Sequence, residues 1–285
     1  MSTTTSQLGQ ESRSNNSYLN TLDERWNSAI LEWAIPESVL SNFKASPFQL
    51  DPSTFSPTET PAQDRRLEIV LETLNLSTSD HPKKSKSPTL IDVGAGAGSS
   101  LAPIREPFSH VTCIEGAPHM AHALAENLRD MYPDPSMYTV VEGRFPEISE
   151  MVEPATVVNC SNVIYNVTNP VEFLQTLDSL ATDLVIVEAT LRHPFYRTNF
   201  AFEHFWSLVR PTTPTISDVF EIATALGYRP RLESLEPTHQ RGHMSLEGMA
   251  QRLGLTEERI VELKQYLDNN PMPENPSALI WWQHR

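Results

Sequence analysis

The chain has 285 residues, of which 39% are hydrophobic, and its formal net charge at pH 7 is −15. This length and apolar content predict one large globular domain, or one domain with an appendage, and exclude a disordered chain. An acidic chain repels phosphate backbones on average, so the charge disfavours nucleic acid as a partner. The short basic cluster at residues 83–86 is interpreted as a solvated loop.

The sequence predicts neither a membrane span nor a secretory signal. No apolar run reaches the roughly 18 residues of a membrane span. The polar N-terminus lacks the basic start and apolar core of a secretory signal. Cys113 and Cys160 both lie in apolar runs, which argues against a disulfide and for a reducing compartment. These features predict a cytoplasmic protein with no membrane partner, and they say nothing about its oligomeric state.

The N-terminal quarter is predicted to be helical after a disordered start. Residues 1–17 are polar and rich in Ser, Thr and Asn, which predicts a disordered tail. Apolar residues at three- and four-residue spacing over 18–43 predict helices that break at Pro36. We therefore expect residues 18–61 to form a helical cap on a main domain over 62–285, which opens with an amphipathic helix.

From residue 89 onward, short apolar runs alternate with helical patterns. This alternation predicts an α/β fold with a doubly wound, mostly parallel sheet of seven strands, and a helical insertion at about 243–270 before the last strand. The strands are predicted at 89–93, 110–115, 138–142, 156–160, 183–188, 228–235 and 278–282. The helices are predicted at 99–106, 117–131, 145–152, 170–181, 199–209, 216–226, 245–253 and 256–268.

The strongest functional signal is a glycine-rich turn after the first strand. Asp92 ends the strand, and Gly94, Gly96 and Gly98 follow at every second position. Glycine lets a ligand pack against the backbone at the carboxyl end of this strand, where such sheets bind ligands. The amides that open the next helix are expected to receive an anionic group. A dinucleotide fingerprint needs a glycine at position 99, where this chain has serine.

Glu115 ends the second strand and supplies a second signal. A carboxylate at this place can accept hydrogen bonds from both hydroxyls of a ribose. Enzymes that use NAD rely on the same contact, so Glu115 does not by itself identify the ligand. An NAD(P)-dependent oxidoreductase, a non-catalytic binding or assembly module, and a tight turn without ligand all remain open at this point.

Together these residues resemble motif I of the class I S-adenosylmethionine methyltransferases, which have a Rossmann-like fold. The resemblance covers roughly residues 62–240 and includes a fourth-strand motif over 157–167. The chain is also similar to a group of uncharacterised bacterial methyltransferases of the small-molecule type. That similarity rests on VIYNV at 163–167, VEATLRHP at 187–194, RPTTPT at 210–215 and LIWW at 279–282.

The resemblance implies S-adenosylmethionine as cofactor and in-line methyl transfer to a small-molecule acceptor. Asp92 would contact the methionine amino group and Glu115 the ribose. The sequence departs from the family at Gly143-Arg144, where many relatives carry Gly-Asp, and at Ala155-Thr156, where an Asp is usual. The residues expected to bind the cofactor are Asp92, Gly94, Ala95, Gly96, Gly98, Glu115, Gly116, Gly143, Arg144, Phe145, Cys160 and Ser161.

Candidates for the acceptor side follow the fourth and fifth strands. His193 is a candidate base because imidazole titrates near neutrality, although a turn histidine bonded to backbone is the more common case. The catalytic candidates are His193, Tyr165 and Glu188, and the substrate candidates are Asn162, Tyr196, Trp26 and Trp206. Packing alone could explain the aromatic ones. His119 and His122 have no third ligand nearby, so we predict no metal site.

Overall fold

The computed structural model describes residues 3–44, 46–47, 52–57, 64–75, 87–236 and 245–284. The α-helices are α1 Thr3–Leu31, α2 Glu37–Leu40, α3 Arg65–Leu74, α4 Pro118–Met131, α5 Pro170–Leu180, α6 Asn199–Trp206, α7 Ile216–Ala225, α8 Leu246–Arg252 and α9 Ile260–Asn269. The strands are β1 Thr89–Val93, β2 His110–Glu115, β3 Tyr138–Glu142, β4 Ala155–Ser161, β5 Ala181–Thr190, β6 Arg231–Ser234 and β7 Ser277–Gln283. No helix within these ranges is both long and apolar enough to cross a bilayer.

The seven strands form one sheet in the order β3-β2-β1-β4-β5-β7-β6. The first five strands pair in parallel, whereas β7 runs antiparallel to β5 and β6. The doubly wound, mostly parallel sheet predicted from the sequence is thereby confirmed. Strands β2 and β3 are added on one side of β1, and β4 and β5 on the other, so the strand order reverses between β1 and β4. Folds of this kind bind ligands at this switch point. The strand order differs from the order 3-2-1-4-5-6 of dinucleotide-binding folds, because the antiparallel β7 lies between β5 and β6.

Each face of the sheet is covered by helices through its own apolar cluster. One cluster joins the sheet to α1, α5 and α7, and it includes Trp26, Phe173 and Trp282. The other joins the opposite face to α3 and α4, and it includes Ile69 and Leu124. Burial on both faces explains why the central strands are near-continuous apolar runs. A polar side chain inside such a strand, such as Asp92, is therefore exceptional.

Helix α1 differs from the prediction for the N-terminus. It begins at Thr3, so the described part of the predicted disordered tail, residues 3–17, is helical instead. Tertiary contacts begin near the end of this segment, where Asn15 donates to the carbonyl of Ala225 and Tyr18 donates to Glu221 in α7. A polar helix with little intrinsic stability is held by its partner rather than by its composition.

Two predicted helices are absent from the described residues. Residues 99–106 form a series of turns, and 145–152 contain only a single 3-10 turn. Pro103 and Pro107 lack the amide that a helix needs, and a segment this short gains too little to nucleate one. The glycine turn therefore leads into no helix N-terminus, and the anion site expected there does not form.

The C-terminal third builds a separate helical cluster before the last strand. Helices α2, α6, α8 and α9 pack together through Phe202, Phe205, Leu253 and Leu263. The helical insertion predicted before β7 is thus present as α8 and α9. The division into a cap over 18–61 and a main domain over 62–285 stays a prediction. The basic cluster at 83–86 lies outside the described residues.

Candidate cofactor site

Three glycines shape the turn that follows β1. Gly94, Gly96 and Gly98 have φ angles of 68°, 59° and 97°, which residues with a Cβ rarely adopt. The amides of Gly94 and Ala95 both donate to the carbonyl of Ile114, at 2.8 and 3.0 Å. The turn is therefore tied directly to the end of β2.

The Glu115 carboxylate lies against this turn. Its Oε2 accepts the amide of Gly96 at 2.8 Å, and its Oε1 accepts the amide of Ala117 at 2.8 Å. The side chain is only half-buried, and each carboxylate oxygen can accept more than one hydrogen bond. Glu115 can hold the turn in place and still accept hydrogen bonds from two hydroxyls of a sugar.

Two other segments pack on the turn. The carbonyl of Phe55, in a short 3-10 helix, accepts the amide of Ser99 at 3.0 Å. A Cβ added to Gly94 would collide with Cγ2 of Val163, whereas one added to Gly96 meets only ordinary contacts of 3.6 Å or more. Gly94 is therefore required by packing as well as by its φ angle, and Gly96 has more room above it.

Asp92 is fully buried beneath the turn rather than exposed to a ligand. Its Oδ1 accepts a hydrogen bond from the side-chain Nδ2 of Asn159 at 2.6 Å, and its Oδ2 accepts one from the Ser100 hydroxyl at 3.3 Å. Burial raises the pKa of Asp92 to about 6, although the hydrogen bond from Asn159 and the charge of Arg66 oppose the rise. In this structure Asp92 organises the ends of β1 and β4, and its direct contact with a cofactor stays a prediction.

A buried arginine that the sequence analysis missed completes this polar cluster. Arg66 on α3 donates to Oγ of Ser161 at 2.7 Å and pairs with Glu188 at 3.3 Å and with Asp64 at 2.6 Å. Its side chain is 6% exposed. The amphipathic pattern of α3 did not single out Arg66, yet the buried residues of this helix are Arg66, Ile69 and Val70. The cation compensates for carboxylates at the ends of β1 and β5.

Four further residues expected to bind the cofactor, Gly116, Gly143, Arg144 and Phe145, follow the ends of β2 and β3. Gly143 donates to the carbonyl of Glu115, and a Cβ on Gly116 would lie 3.5 Å from the Gly143 oxygen. Arg144 is exposed, and its Nε lies 3.8 Å from Glu147. Phe145 packs edge-on against a core phenylalanine of α5, with 5.2 Å between ring centroids. Gly116 and Gly143 therefore pack together at the end of β2 through backbone contacts, whereas the side chain of Arg144 is exposed and that of Phe145 packs on the apolar core.

Cys160 lies in β4 with its side chain in the apolar cluster of the α1, α5 and α7 face. Burial raises the pKa of this thiol far above its usual range, so it stays protonated and unreactive. Ser161, the next residue, points to the opposite face and joins the Arg66 cluster. Cys160 and Ser161, both expected to bind the cofactor, therefore point to opposite faces of the sheet.

Several candidates for the acceptor side are buried rings that stack on other side chains of the core. Tyr165 donates to the carbonyl of Thr190 at 2.8 Å and stacks on Trp26, which is 1% exposed. His193 stacks on Trp33 with ring centroids 4.0 Å apart, and its edge contacts Tyr165 at 5.5 Å. Burial raises the pKa of Tyr165 above its usual range. Trp26 and Tyr165 therefore act as core residues here, and they offer no surface to an acceptor.

The other candidates are more scattered. Asn162 is exposed, has a φ of 61°, and its amide donates to the carbonyl of Glu188 at 2.7 Å. Tyr196 lies under the Arg192 guanidinium, 4.7 Å from its ring centroid. Trp206 donates to the carbonyl of Leu253 in the C-terminal helical cluster. The structure brings Asn162 to the end of β4, near the glycine turn, and keeps Trp206 with α8.

His193 is a weak base in this setting. It is 8% exposed, and its Nδ1 accepts the amide of Phe195 at 3.2 Å. Burial, and then the nearby charge of Arg210, lower the pKa of His193 to about 3. The imidazole is therefore neutral at physiological pH, and it takes up a proton only from a strong acid. Its observed role is to cap the 3-10 helix Pro194–Thr198.

This pKa gives a prediction about stability. The unfolded imidazole binds a proton below about pH 6.5 and the folded one does not, so His193 costs stability as the pH falls. His193→Asn keeps an acceptor for the Phe195 amide but has no group that titrates in this range. We expect its free energy of unfolding to fall by about 2 kcal/mol less than that of the wild type between pH 7 and pH 5. Urea unfolding at the two pH values measures this. Equal losses in both proteins would contradict a neutral His193.

His119 and His122 both lie exposed on α4, and His122 is 3.5 Å from Glu126. Within the described part of the chain, no three His, Cys, Asp or Glu side chains are close enough together to hold a metal ion.

Comparisons with known proteins agree with the fold at low sequence identity. No protein-family model matches the chain. It is 32% identical over 108 residues to the ribosomal RNA small subunit methyltransferase A of Thermobifida fusca, a match that spans 37% of this chain and 38% of that protein. The chain therefore matches well under half the length of this curated relative.

Among solved structures, the plantazolicin methyltransferase BpumL, in complex with a monoazolic desmethylPZN analog and SAH, matches with a TM-score of 0.51 and 15% identity. That match covers 93% of this chain and 100% of BpumL. The magnesium protoporphyrin IX methyltransferase ChlM of Synechocystis matches with a TM-score of 0.49 and 11% identity, over 78% of this chain and 82% of ChlM. The chain therefore shares the fold of BpumL over nearly the whole of both chains, which agrees with the Rossmann-like fold that the resemblance implied.

Proposed function

We propose that this protein is an S-adenosylmethionine-dependent methyltransferase with a small-molecule acceptor. The observation that carries the proposal is the half-buried Glu115 carboxylate, held 2.8 Å from the Gly96 amide at the switch point of the sheet. A nucleoside placed on this turn meets a carboxylate for its ribose and a backbone without side chains for its remaining atoms. S-adenosylmethionine fits these groups. BpumL, which shares the fold, binds the related compound SAH.

The residues present divide the work of holding such a cofactor. Glu115 would grip the ribose, and the Gly96 region would face the chain that carries the sulfur. Asp92 is fully buried and holds the ends of β1 and β4 together through Asn159, so we assign it mainly a positioning role. The bound cofactor supplies a methyl group on a sulfonium, which needs little activation beyond alignment with the acceptor.

The protein's contribution to the reaction is therefore mainly positional. A general base is needed only when the acceptor arrives protonated, and His193 is too weak a base for that task at its pKa of about 3. Glu188 is occupied in an ion pair with Arg66. We therefore assign the rate mainly to alignment and to exclusion of water, and we propose an acceptor that arrives as a ready nucleophile.

One feature supports a small acceptor over RNA, although one relative is a ribosomal RNA methyltransferase. The net charge of −15 opposes the binding of a polyanion. Incubation with isotope-labelled cofactor and fractionated small molecules, with total RNA as a parallel arm, identifies what gains a methyl group. Label in RNA alone would overturn the small acceptor.

The cofactor site is tested by Glu115→Ala. We expect the affinity for S-adenosylhomocysteine to fall about 10- to 100-fold, because a charge-assisted pair of hydrogen bonds to the ribose is lost. Isothermal titration calorimetry measures the change. Glu142→Ala is the matched control, since Glu142 ends β3 in register with Glu115 but is exposed.

Three outcomes would count against this proposal. Equal effects of the two substitutions would remove Glu115 from the site. NADH binding in place of S-adenosylhomocysteine would favour an oxidoreductase, the class that the antiparallel β7 argues against. Cofactor binding without methyl transfer to any fraction would favour a non-catalytic module.

A further inference from the structure

A short segment from the N-terminal part of the chain lies along the glycine turn. It consists of residues 52–57, which begin with a short 3-10 helix, and we call it the 52–57 segment. The carbonyl of Phe55 accepts the amide of Ser99 at 3.0 Å. Asn127 of α4 donates to the Ser56 hydroxyl at 3.4 Å and to a carbonyl of the turn at 2.8 Å. Hydrogen bonds therefore hold this segment against the turn on which the cofactor is proposed to lie.

Within this segment, Phe55 lies next to the middle glycine of the turn. A Cβ added to Gly96 would lie 3.7 Å from Cβ of Phe55. The amide of the same glycine donates to Oε2 of Glu115 at 2.8 Å. Phe55 and the carboxylate that is proposed to hold the ribose therefore both adjoin Gly96.

The ring of Phe55 is not part of the hydrophobic core. It belongs to none of the apolar clusters that the described residues form, and the residue is only half-buried. Single exposed apolar residues are common on protein surfaces, but the backbone of this one is fixed beside a ligand turn. Its ring therefore offers apolar surface to a molecule that lies on the turn.

The aromatic residue that the sequence placed at the cofactor is used elsewhere. The ring of Phe145 packs edge-on against Phe173 of α5, with 5.2 Å between centroids, and it belongs to the apolar cluster on that face of the sheet. Phe55, which the sequence analysis did not single out, adjoins the glycine turn instead. No local pattern could have found it, because 41 residues separate Phe55 from Gly96 along the chain.

We propose that Phe55 packs on the nucleoside of the bound cofactor and closes the site from the side of the N-terminal segment. This assignment rests on the proposed function, which places the ribose at Glu115. Every purine has a π-face on which an aromatic ring can stack, and such a ring also keeps water from the hydrogen bonds to the ribose. The nucleoside then contacts both the 52–57 segment and the ends of the parallel strands.

The test uses two probes, S-adenosylhomocysteine and methylthioadenosine. Both contain the nucleoside and the sulfur, but only the first carries the amino-acid chain. Phe55→Leu keeps an apolar side chain and removes the ring. We expect its affinity for both probes, measured by isothermal titration calorimetry, to fall about 10- to 100-fold, the usual effect of losing a ring stacked on a base.

Two further variants of phenylalanines complete the set. Phe55→Tyr restores a ring, so its affinities should lie within about threefold of those of the wild type. Phe220→Leu is the matched control, because Phe220 on α7 is also half-buried but packs on the core away from the turn. It should bind both probes as the wild type does. Urea unfolding of each variant shows that the comparison is made between folded proteins.

Four results would overturn the proposal. Phe55→Leu could bind both probes as tightly as the wild type. Phe55→Tyr could bind as weakly as Phe55→Leu, which would mean that the shape of the segment matters and the ring does not. A loss limited to S-adenosylhomocysteine would place the ring at the amino-acid chain. A loss of affinity in Phe145→Leu that Phe55→Leu does not share would return the contact to the end of β3.

The two probes also separate this proposal from the proposed function. A wild type that binds methylthioadenosine through Phe55 but does not bind S-adenosylhomocysteine keeps the nucleoside contact and loses the methyltransferase. A wild type that binds S-adenosylhomocysteine no better than Phe55→Leu does loses only the contact with Phe55. A wild type that binds neither probe loses both.

Discussion

Replacing Arg66 by methionine is expected to lower the free energy of unfolding by about 3–5 kcal/mol, the usual cost of removing one partner from a buried ion pair. Methionine keeps much of the volume of the side chain and removes its charge. The cation now faces Glu188 at 3.3 Å and lowers the cost of ionising Asp92. Equilibrium unfolding in urea at pH 7.5 measures the loss.

The neighbouring arginine provides the control. Arg65 pairs with Glu68, Glu72 and Glu233 near the surface, where such pairs contribute about 0–1 kcal/mol. Arg65→Met should therefore cost about 1 kcal/mol or less. Similar losses in the two variants would show that Arg66 does not compensate buried charge.

The deficit of Arg66→Met should also depend on pH. The folded-state pKa of Asp92 is raised to about 6, so Asp92 contributes stability that is lost as the pH rises through that value. Loss of the Arg66 charge raises this pKa further. We therefore expect the variant to lie closer to the wild type at pH 5.5 than at pH 7.5, and a constant difference would exclude a role for Asp92 ionisation.

Gly94→Ala is expected to cost about 2–4 kcal/mol, the sum of an unfavourable φ and an overpacked contact. The φ of Gly94 is 68°, and its new Cβ would collide with Cγ2 of Val163 after β4. The backbone cannot move away easily, because the Gly94 amide is hydrogen-bonded to Ile114. Urea unfolding again provides the measurement.

Gly227 separates the two contributions. It ends α7 with a φ of 87°, and a Cβ there meets no atom within 4 Å, so Gly227→Ala should cost only the backbone part, about 1–2 kcal/mol. A double-mutant cycle of Gly94→Ala with Val163→Ala should show a favourable coupling of about 1 kcal/mol or more. Equal losses at the two glycines, with no coupling, would contradict crowding at Gly94.

The strands and the glycine turn could be predicted because their signals are local. The predicted strand at 89–93 is β1, 110–115 is β2 and 138–142 is β3, since apolar runs buried on both faces leave a clear pattern. The position of Glu115 followed from its place at the end of β2. Its carboxylate does reach the turn, and its contact with a ribose stays a prediction.

The helices near the site were less predictable. Residues 99–106 contain apolar residues at helical spacing, but Pro103 and Pro107 and the short connection to β2 leave only turns. At the N-terminus the opposite error occurred, because a polar segment became helical through contacts with α7. Both differences arise because packing outweighs local propensity.

The sequence by itself determined the class of fold and the positions of the glycine turn and of Glu115 at the ends of β1 and β2, because these depend on residues that are neighbours along the chain. Only the tertiary structure decided the partners of the buried charges. Arg66 meets Ser161 and Glu188 from a distant helix, and Arg210 lies among aromatic rings without an acidic partner in the described residues. The energy of a buried charge depends on what surrounds it in space, and no local pattern records those surroundings.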